Sequence, residues 1–221
     1  TAYWLTKSLR DCSLGGFHAA WFGYDAFYSC INSFIDLMPK FLHVGCGQKR
    51  IDRTPFAGSD WDEIRLDIDS SVDPDVIGTM LDMSAIDSSS VDAVFSSHNI
   101  EHLYPHEVPA ALAEFKRVLR PDGFALVTCP DLQSVAALIA NNKLLEPAYT
   151  SNAGPIAPLD IRYGLRSALA AGNHFMAHRC GFTRNVLIQV FQQTGFAQCA
   201  ATQRPAHFDL WALATTQEWP N

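Results

Sequence analysis

The feature that most constrains the fold is an apolar segment, residues 40–47 (KFLHVGCG), that runs directly into a turn containing two glycines. A short apolar run is typical of a buried parallel strand, and glycines let backbone approach a ligand with no Cβ in the way. Such a turn, at the carboxyl end of the first strand of an open α/β sheet, is where nucleotide-like cofactors bind. Arg50 stands where a dinucleotide fingerprint would have its third glycine, and no Gly-Lys-Ser/Thr follows. NAD-binding and P-loop sites are therefore disfavoured.

Further motifs follow this turn in a fixed order. Twenty residues on, the segment 64–69 (IRLDID) predicts a short strand that ends in carboxylates, where a ribose diol is held in open α/β sheets. Next come residues 81–83 (LDM) and then an apolar strand that leads into polar residues, 91–103 (VDAVFSSHNIEHL). A helical run from Glu107 to Leu119 precedes residues 117–124 (RVLRPDGF) and a strand over 125–130.

This ordered set resembles the class I S-adenosylmethionine (SAM)-dependent methyltransferases, in particular the ubiquinone-biosynthesis-type methyltransferase domain. The resemblance covers about residues 40–130 and resumes over 183–196. It implies an α/β, Rossmann-like fold, with helices on both faces of a seven-stranded, mostly parallel sheet whose last strand is antiparallel. It also implies SAM as the cofactor and S-adenosylhomocysteine (SAH) as the product.

The resemblance also predicts which residues bind the cofactor. The glycine turn would hold the methionine end, a strand-end carboxylate the ribose, and an apolar slot with a polar edge the adenine. Asp69 competes for the ribose, but Asp67 is preferred because it directly follows the apolar part of its strand. Two departures concern the methionine end, since His43 replaces a frequent acidic residue and Lys49 a frequent third glycine. The predicted cofactor residues are Gly45, Cys46, Gly47, Asp67, Ile68, Asp82, Met83 and Ser97.

Histidines are the candidate catalytic residues, because methyl transfer to a hydroxyl is assisted by a general base that works near neutral pH. His98 follows the tip of the fourth strand and is the first candidate for the base or for contact with the acceptor. His102 lies one helical turn beyond it, in a Glu-His pair that resembles a family motif with a packing role. His174 and His178 are four residues apart, so they could share a helical face and reach the pocket.

The same histidines raise the question of a metal. Together with Glu101 or Asp131 they could ligate zinc or iron, but no compact ligand motif such as H-E-x-x-H is present. The sequence therefore predicts no metal. The six cysteines include no C-x-x-C pair, which favours free thiols over a zinc site or a disulfide framework.

Domain organisation follows from the position of the motifs. Residues 1–39 are rich in aromatic side chains and predict a helical cap, which could also form a homodimer interface. Residues 40–221 would be the SAM-binding domain, with an insertion at about 131–181 that builds the acceptor pocket. Residues 48–63 contain helix-breaking residues, so a loop is predicted where the fold usually has its first crossover helix. Two closing strands are predicted at 196–202 and 207–215, paired as a hairpin on the sheet edge.

Charge and hydrophobicity exclude several partners. A formal net charge of −7 argues against a large nucleic-acid interface, which needs clustered Lys and Arg. No apolar run reaches the roughly 18–20 residues of a membrane span, and no signal-peptide pattern is found, so a cytoplasmic location is expected.

The leading hypothesis is a SAM-dependent methyltransferase that acts on a small or medium organic acceptor, at oxygen if a histidine is the base. The alternative is a SAM- or SAH-binding protein without catalysis, acting as a sensor or a partner subunit. That alternative stays open because His43 and Lys49 depart from the family pattern and because no crossover helix is predicted after the first strand.

Overall fold

A computed structural model describes residues 38–218. The predicted aromatic cap and its homodimer interface lie outside these residues, apart from the last two positions of the cap. The described chain alternates strands and helices. The strands are β1 (Lys40–Val44), β2 (Asp62–Asp67), β3 (Val76–Ile77), β4 (Val91–Ser97), β5 (Leu119–Pro130), β6 (Tyr149–Ser151), β7 (Gly154–Ile156), β8 (Gln198–Arg204) and β9 (Asp209–Thr215). The helices are α1 (Val108–Val118), α2 (Leu132–Ala140), α3 (Pro158–Tyr163), α4 (Arg166–Ala170) and α5 (Arg184–Gln193).

Seven strands form one sheet in the order β3-β2-β1-β4-β5-β9-β8. The pairs from β3 to β5 are parallel, and β9 runs antiparallel to both β5 and β8. The prediction of a mostly parallel seven-stranded sheet with an antiparallel last strand is confirmed, as is the closing hairpin. The strand order reverses beside β1, so the carboxyl ends of β1, β2 and β4 border the crevice in which such sheets bind ligands.

The main core lies between the sheet and the helices α1 and α5. Helix α1 shows why its sequence folds this way, because its apolar residues recur at three- and four-residue spacing and form one buried face. On the sheet side, Leu42 and Val44 of β1 point into this core. The buried face of α1 consists of Val108, Ala111, Leu112, Phe115 and Val118.

No α-helix connects β1 to β2, as predicted for residues 48–63. The connection contains one 3-10 turn, Ile51–Arg53, and then a loop that returns to the second face of the sheet. There Phe56 stacks on Phe41 with ring centroids 4.2 Å apart, and Trp61 meets Phe56 edge-on at 4.8 Å. Aromatic packing therefore covers this part of the sheet where a crossover helix is usual.

His43 is fully buried in β1, where its partner is a carboxylate of the neighbouring strand. Nδ1 of His43 lies 2.7 Å from Oε1 of Glu63. The second oxygen of Glu63 accepts the N–H of Ile51 at 2.8 Å. The acidic residue that the resemblance expects in β1 is thus supplied by the neighbouring strand, where it holds the start of the 3-10 turn.

The insertion after β5 consists of short elements. Helix α2 is capped by Asp131, whose side chain accepts the N–H of Gln133 at 3.1 Å. The β6–β7 hairpin and helices α3 and α4 follow, and Asp160 joins the two helices through a bidentate pair with Arg166 at 2.7 and 3.0 Å. Between residues 38 and 218, no helix is long and apolar enough to cross a bilayer.

Candidate active site at the carboxyl ends of the strands

The glycine turn after β1 has the geometry that its two glycines permit. Gly45 and Gly47 have φ values of +68° and +52°, in the left-handed region that favours glycine. A Cβ on Gly45 would overlap the side-chain amide of Asn99, with Oδ1 2.8 Å away. A Cβ on Gly47 would meet nothing within 4 Å, so this backbone faces open space. The turn is therefore packed on one side by Asn99 and open on the other.

Asp67 ends β2 directly beside this turn. One carboxylate oxygen accepts the N–H of Gly47 at 2.7 Å, and the other accepts the N–H of Asp69 at 2.9 Å. Asp69 itself points to solvent and accepts the N–H of Ser71 at 2.9 Å. Ile68, between the two, is 48% exposed. Of the two candidate carboxylates, only Asp67 touches the glycine turn.

A buried arginine holds the turn, and this residue was not singled out from the sequence. The guanidinium of Arg65 is 2% exposed and donates to four backbone carbonyls. Two of these, Gly47 and Lys49, belong to the glycine turn, at 2.6 and 3.3 Å. The other two, Val72 and Asp73, belong to the turn after β2, at 3.1 and 2.5 Å. Arg65 thus ties together two loops that no crossover helix supports.

The remaining predicted cofactor residues differ in exposure, since some are on the surface and others are in the core. Asp82 is exposed and accepts the N–H of Ser84 at 3.0 Å. Hydrogen bonds from the hydroxyl and then the N–H of Ser84 lower the pKa of the Asp82 carboxyl. Met83 packs in the main core, and its N–H donates to Glu114 at 3.0 Å. Ser97 ends β4, and its hydroxyl lies 3.0 Å from that of Thr128. Cys46 is buried, and burial raises the pKa of its thiol to about 11, so the thiol is protonated and unreactive.

His98 stands at the tip of β4 in a strained conformation. Its φ is +53°, which is uncommon for a residue with a side chain and is typical of functional sites. Nδ1 lies 3.5 Å from Glu101 and Nε2 lies 3.6 Å from Asp209, while the side chain is still 42% exposed. Burial lowers the pKa of His98, but the two carboxylates outweigh it and raise the pKa to about 9. At neutral pH His98 is therefore a cation that donates hydrogen bonds.

A cavity of about 190 Å³ opens beside His98. Its wall is formed by the turn after β4, the end of β5, the insertion and the segment before β9. Three histidines besides His98 line it, together with aromatic and aliphatic side chains. The lining includes Glu101, His102, Tyr149, Ile156, Met176, His178, His207 and Phe208.

The structure separates the two histidines that were expected to share a helical face. His174 begins a 3-10 turn that ends at Met176, and it is exposed outside the cavity lining. The chain is extended at Ala177, and His178 lines the cavity. The backbone N–H of His178 donates to the carbonyl of Tyr163 at 3.1 Å. Asp131 is also removed from the candidate ligands, because its carboxylate accepts from Gln133, Ser134 and Gln203.

Comparison with known proteins agrees with this architecture. A family model described as "Methyltransferase domain" matches residues 42–127. A sequence comparison with curated proteins finds no match. Among solved structures, a SAM-dependent methyltransferase from Archaeoglobus fulgidus is similar, with a TM-score of 0.54 and 12% identity over 86% of this chain and 93% of its own.

Two further structures show the same fold. A protein from Pyrococcus horikoshii has a TM-score of 0.56 and 13% identity, over 86% of this chain and 88% of its own. The 1,6-didemethyltoxoflavin-N1-methyltransferase of Burkholderia thailandensis, solved with 1,6-didemethyltoxoflavin and SAH, has a TM-score of 0.51 and 14% identity over 86% and 76%. The match over residues 42–127 indicates a methyltransferase domain, and the strand order and these neighbours show that the chain has the class I SAM-dependent methyltransferase fold.

Proposed function

We propose that this enzyme transfers the methyl group of SAM to a hydroxyl oxygen of a small organic acceptor bound in the cavity beside His98. The observation that carries the proposal is the position of His98. It is the first residue after β4, the strand that lies between β1 with its glycine turn and β5 with the cavity at its end. A group at this point can contact both the cofactor and the acceptor.

The residues at the crevice fit SAM. The open side of Gly47 gives the methionine end access to backbone, because no side chain stands within 4 Å of where a Cβ would be. Each oxygen of Asp67 accepts one N–H and retains a lone pair, so the carboxylate can also accept the two ribose hydroxyls. Exposed Ile68 offers an apolar surface to adenine, and Asp82 lies exposed in the loop after β3 to meet its polar edge.

Bound SAM supplies an electrophilic methyl group: the acceptor oxygen bonds to that carbon, the carbon–sulfur bond breaks with its electron pair kept by sulfur, and the hydroxyl proton is released. The work of the chain is then to align the acceptor and to handle this proton. We assign to His98 the first task. Its two ring nitrogens lie 3.5 and 3.6 Å from Glu101 and Asp209, too far for good hydrogen bonds, so a ring N–H remains available to an acceptor oxygen in the cavity. His102 and His178 face the same cavity and are placed to handle the proton.

The size and lining of the cavity support a small acceptor. A volume of about 190 Å³ somewhat exceeds the ~150 Å³ of an engineered apolar cavity that holds benzene. Tyr149 stacks on Phe208 in the wall with ring centroids 6.2 Å apart, and Ile156 adds an aliphatic surface. A single hydroxylated ring, or the hydroxylated end of a larger metabolite, fits this combination of apolar wall and histidines.

The test is methyl transfer from labelled SAM to a panel of phenols, catechols and cyclic polyols, each paired with the corresponding amine. Product on oxygen supports the proposal, and product on the amines alone contradicts it. His98→Gln should reduce kcat by about 10²–10³-fold if its hydrogen bond orients the oxygen during transfer. His106→Ala, an exposed histidine stacked on Tyr104, is the matched control and should retain the rate. SAH binding without product from any acceptor would instead favour the sensor alternative.

A further inference from the structure

Three ligand-type side chains converge in the wall of the cavity. Glu101 and His102 lie in the 3-10 turn Ile100–His102 that follows β4, and His178 comes from the end of the insertion. One potential ligand atom from each lies within 4.8 Å of the other two. The rings of His102 and His178 have centroids 4.9 Å apart and are inclined at 66°.

The carboxylate of Glu101 is the unusual member of this cluster. The residue is 0% exposed, and neither oxygen has a hydrogen-bond partner among the residues that the structure describes. The nearest cationic atom is Nδ1 of His98 at 3.5 Å, which is too long for a good hydrogen bond. A buried carboxylate costs several kcal/mol unless it is paired or binds a metal. The Glu101 carboxylate therefore has no close partner, although the imidazoles of His102 and His178 lie beside it.

The two imidazoles have backbone partners of the kind that metal-binding histidines have. Nδ1 of His102 lies 3.1 Å from the carbonyl of Ala177, and Nδ1 of His178 lies 2.8 Å from the carbonyl of Ile161. A carbonyl only accepts, so each Nδ1 carries the proton, and in the neutral ring Nε2 presents its lone pair. A backbone carbonyl on the far nitrogen is the usual second contact of a metal-binding histidine, because it fixes the tautomer and the ring plane.

Backbone contacts hold the two segments together. The carbonyl of Glu101 accepts the N–H groups of Arg179 and Cys180 at 2.8 and 3.2 Å, and the guanidinium of Arg179 donates to the carbonyl of His102 at 2.9 Å. Three ligands bound at ~2.1 Å in a tetrahedral arrangement stand about 3.4 Å apart. Side-chain movements of up to about 1.5 Å would therefore close the cluster around one cation without moving these backbones.

We propose that Glu101, His102 and His178 bind one divalent transition-metal ion, with its open coordination positions toward the acceptor cavity. Two imidazoles and one carboxylate favour Zn²⁺, Fe²⁺, Co²⁺ or Mn²⁺ over Mg²⁺ and Ca²⁺, which take oxygen ligands. With a cation bound, His102 and His178 would no longer accept the proton, because their Nε2 lone pairs would be coordinated. The cation would instead increase the acidity of a hydroxyl bound to it, so the proton could leave without a protein base. This role in catalysis rests on the proposed function, whereas the binding of the metal does not. Acceptors with two neighbouring oxygens are the class that such a site would select.

The experiment is calorimetric titration of the chelator-treated full chain with Zn²⁺ and Co²⁺, with SAH binding measured on the same samples. One equivalent of each metal should bind to the unsubstituted protein, and Co²⁺ should give visible ligand-field bands. Glu101→Gln and His178→Ala should each weaken binding by more than about 100-fold. His106→Ala, outside the cluster, should bind as the unsubstituted protein does.

Should the variants fail to fold, the unsubstituted protein still decides the matter. Loaded with Cu²⁺, it should show nitrogen hyperfine couplings from two imidazoles in pulsed electron paramagnetic resonance. Failure of both Zn²⁺ and Co²⁺ to bind, unchanged affinity in both folded variants, or a Cu²⁺ spectrum without nitrogen couplings would overturn the metal site. If the unsubstituted protein binds SAH but no metal, this inference alone fails. If it binds metal but not SAH, the proposed function alone fails.

Discussion

The two glycines of the cofactor turn should respond very differently to alanine, although both have positive φ. A left-handed alanine costs about 1–2 kcal/mol at either position. At Gly45 a Cβ would also displace the amide of Asn99, whose Nδ2 donates to the carbonyl of Val44 at 3.2 Å. Losing that hydrogen bond adds about 0.5–1.5 kcal/mol, and overpacking adds about 1–3 kcal/mol. We therefore expect a cost of about 2.5–6.5 kcal/mol for Gly45→Ala and about 1–2 kcal/mol for Gly47→Ala.

Urea unfolding of the two variants measures this difference directly, and SAH calorimetry provides the second readout. Gly47→Ala places its methyl in the open space that the cofactor would occupy, so it should lose SAH affinity with little loss of stability. A double variant isolates the cause: in an Asn99→Ala background, Gly45→Ala should cost only the 1–2 kcal/mol of backbone strain. Equal costs for Gly45→Ala and Gly47→Ala, or an unchanged cost of Gly45→Ala in the Asn99→Ala background, would refute the packing argument.

Two further perturbations test the supports of the site. Arg65→Met leaves four backbone carbonyls without their donor, so unfolding free energy should fall by about 2–4 kcal/mol with a loss of SAH affinity. Arg65→Lys keeps the charge but loses the forked guanidinium, so its unfolding free energy should lie between those of Arg65→Met and the unsubstituted protein. An Arg65→Met variant with the stability and SAH affinity of the unsubstituted protein would contradict the role assigned to Arg65. Hydrogen bonds from Arg166 chiefly lower the pKa of the Asp160 carboxyl below its usual 3.8, so its contribution to stability is fully present above the unfolded-state pKa and is lost as pH falls through the folded-state pKa. The stability difference between the unsubstituted protein and Asp160→Asn should accordingly be constant near neutral pH and shrink below about pH 4; a difference that grows on acidification would contradict the ion pair.

Local sequence pattern was sufficient to predict the first strands and to place Asp67 beside the glycine turn, because apolar runs, the turn and Asp67 are contiguous signals. The mostly parallel seven-stranded sheet was predicted from the family resemblance that the order of these motifs carries. The loop at 48–63 was also predictable, because its Pro, Gly and Asp residues oppose a helix. The short strand β3, Val76–Ile77, was not, since two residues carry no period.

The chemistry of the cavity depends on contacts between distant residues. His102 and Ala177 are 75 positions apart, and Asp209 reaches His98 from the last strand. Spacing of four placed His174 and His178 on one assumed helix, whereas a 3-10 turn followed by extended chain turns only His178 into the cavity. Arg65 left one trace in the sequence, a basic residue between the apolar residues Ile64 and Leu66 of β2, but its backbone partners lie in two loops.

The central claim is that the crevice beside Asp67 binds SAM. Calorimetry of the full chain with SAM and SAH, alongside Asp67→Asn and the exposed control Asp69→Asn, tests it most directly. Micromolar binding of both ligands, retained in Asp69→Asn and weakened by at least about tenfold in Asp67→Asn, is the predicted result. Absence of binding to the unsubstituted protein, or equal affinity in Asp67→Asn, would contradict the account.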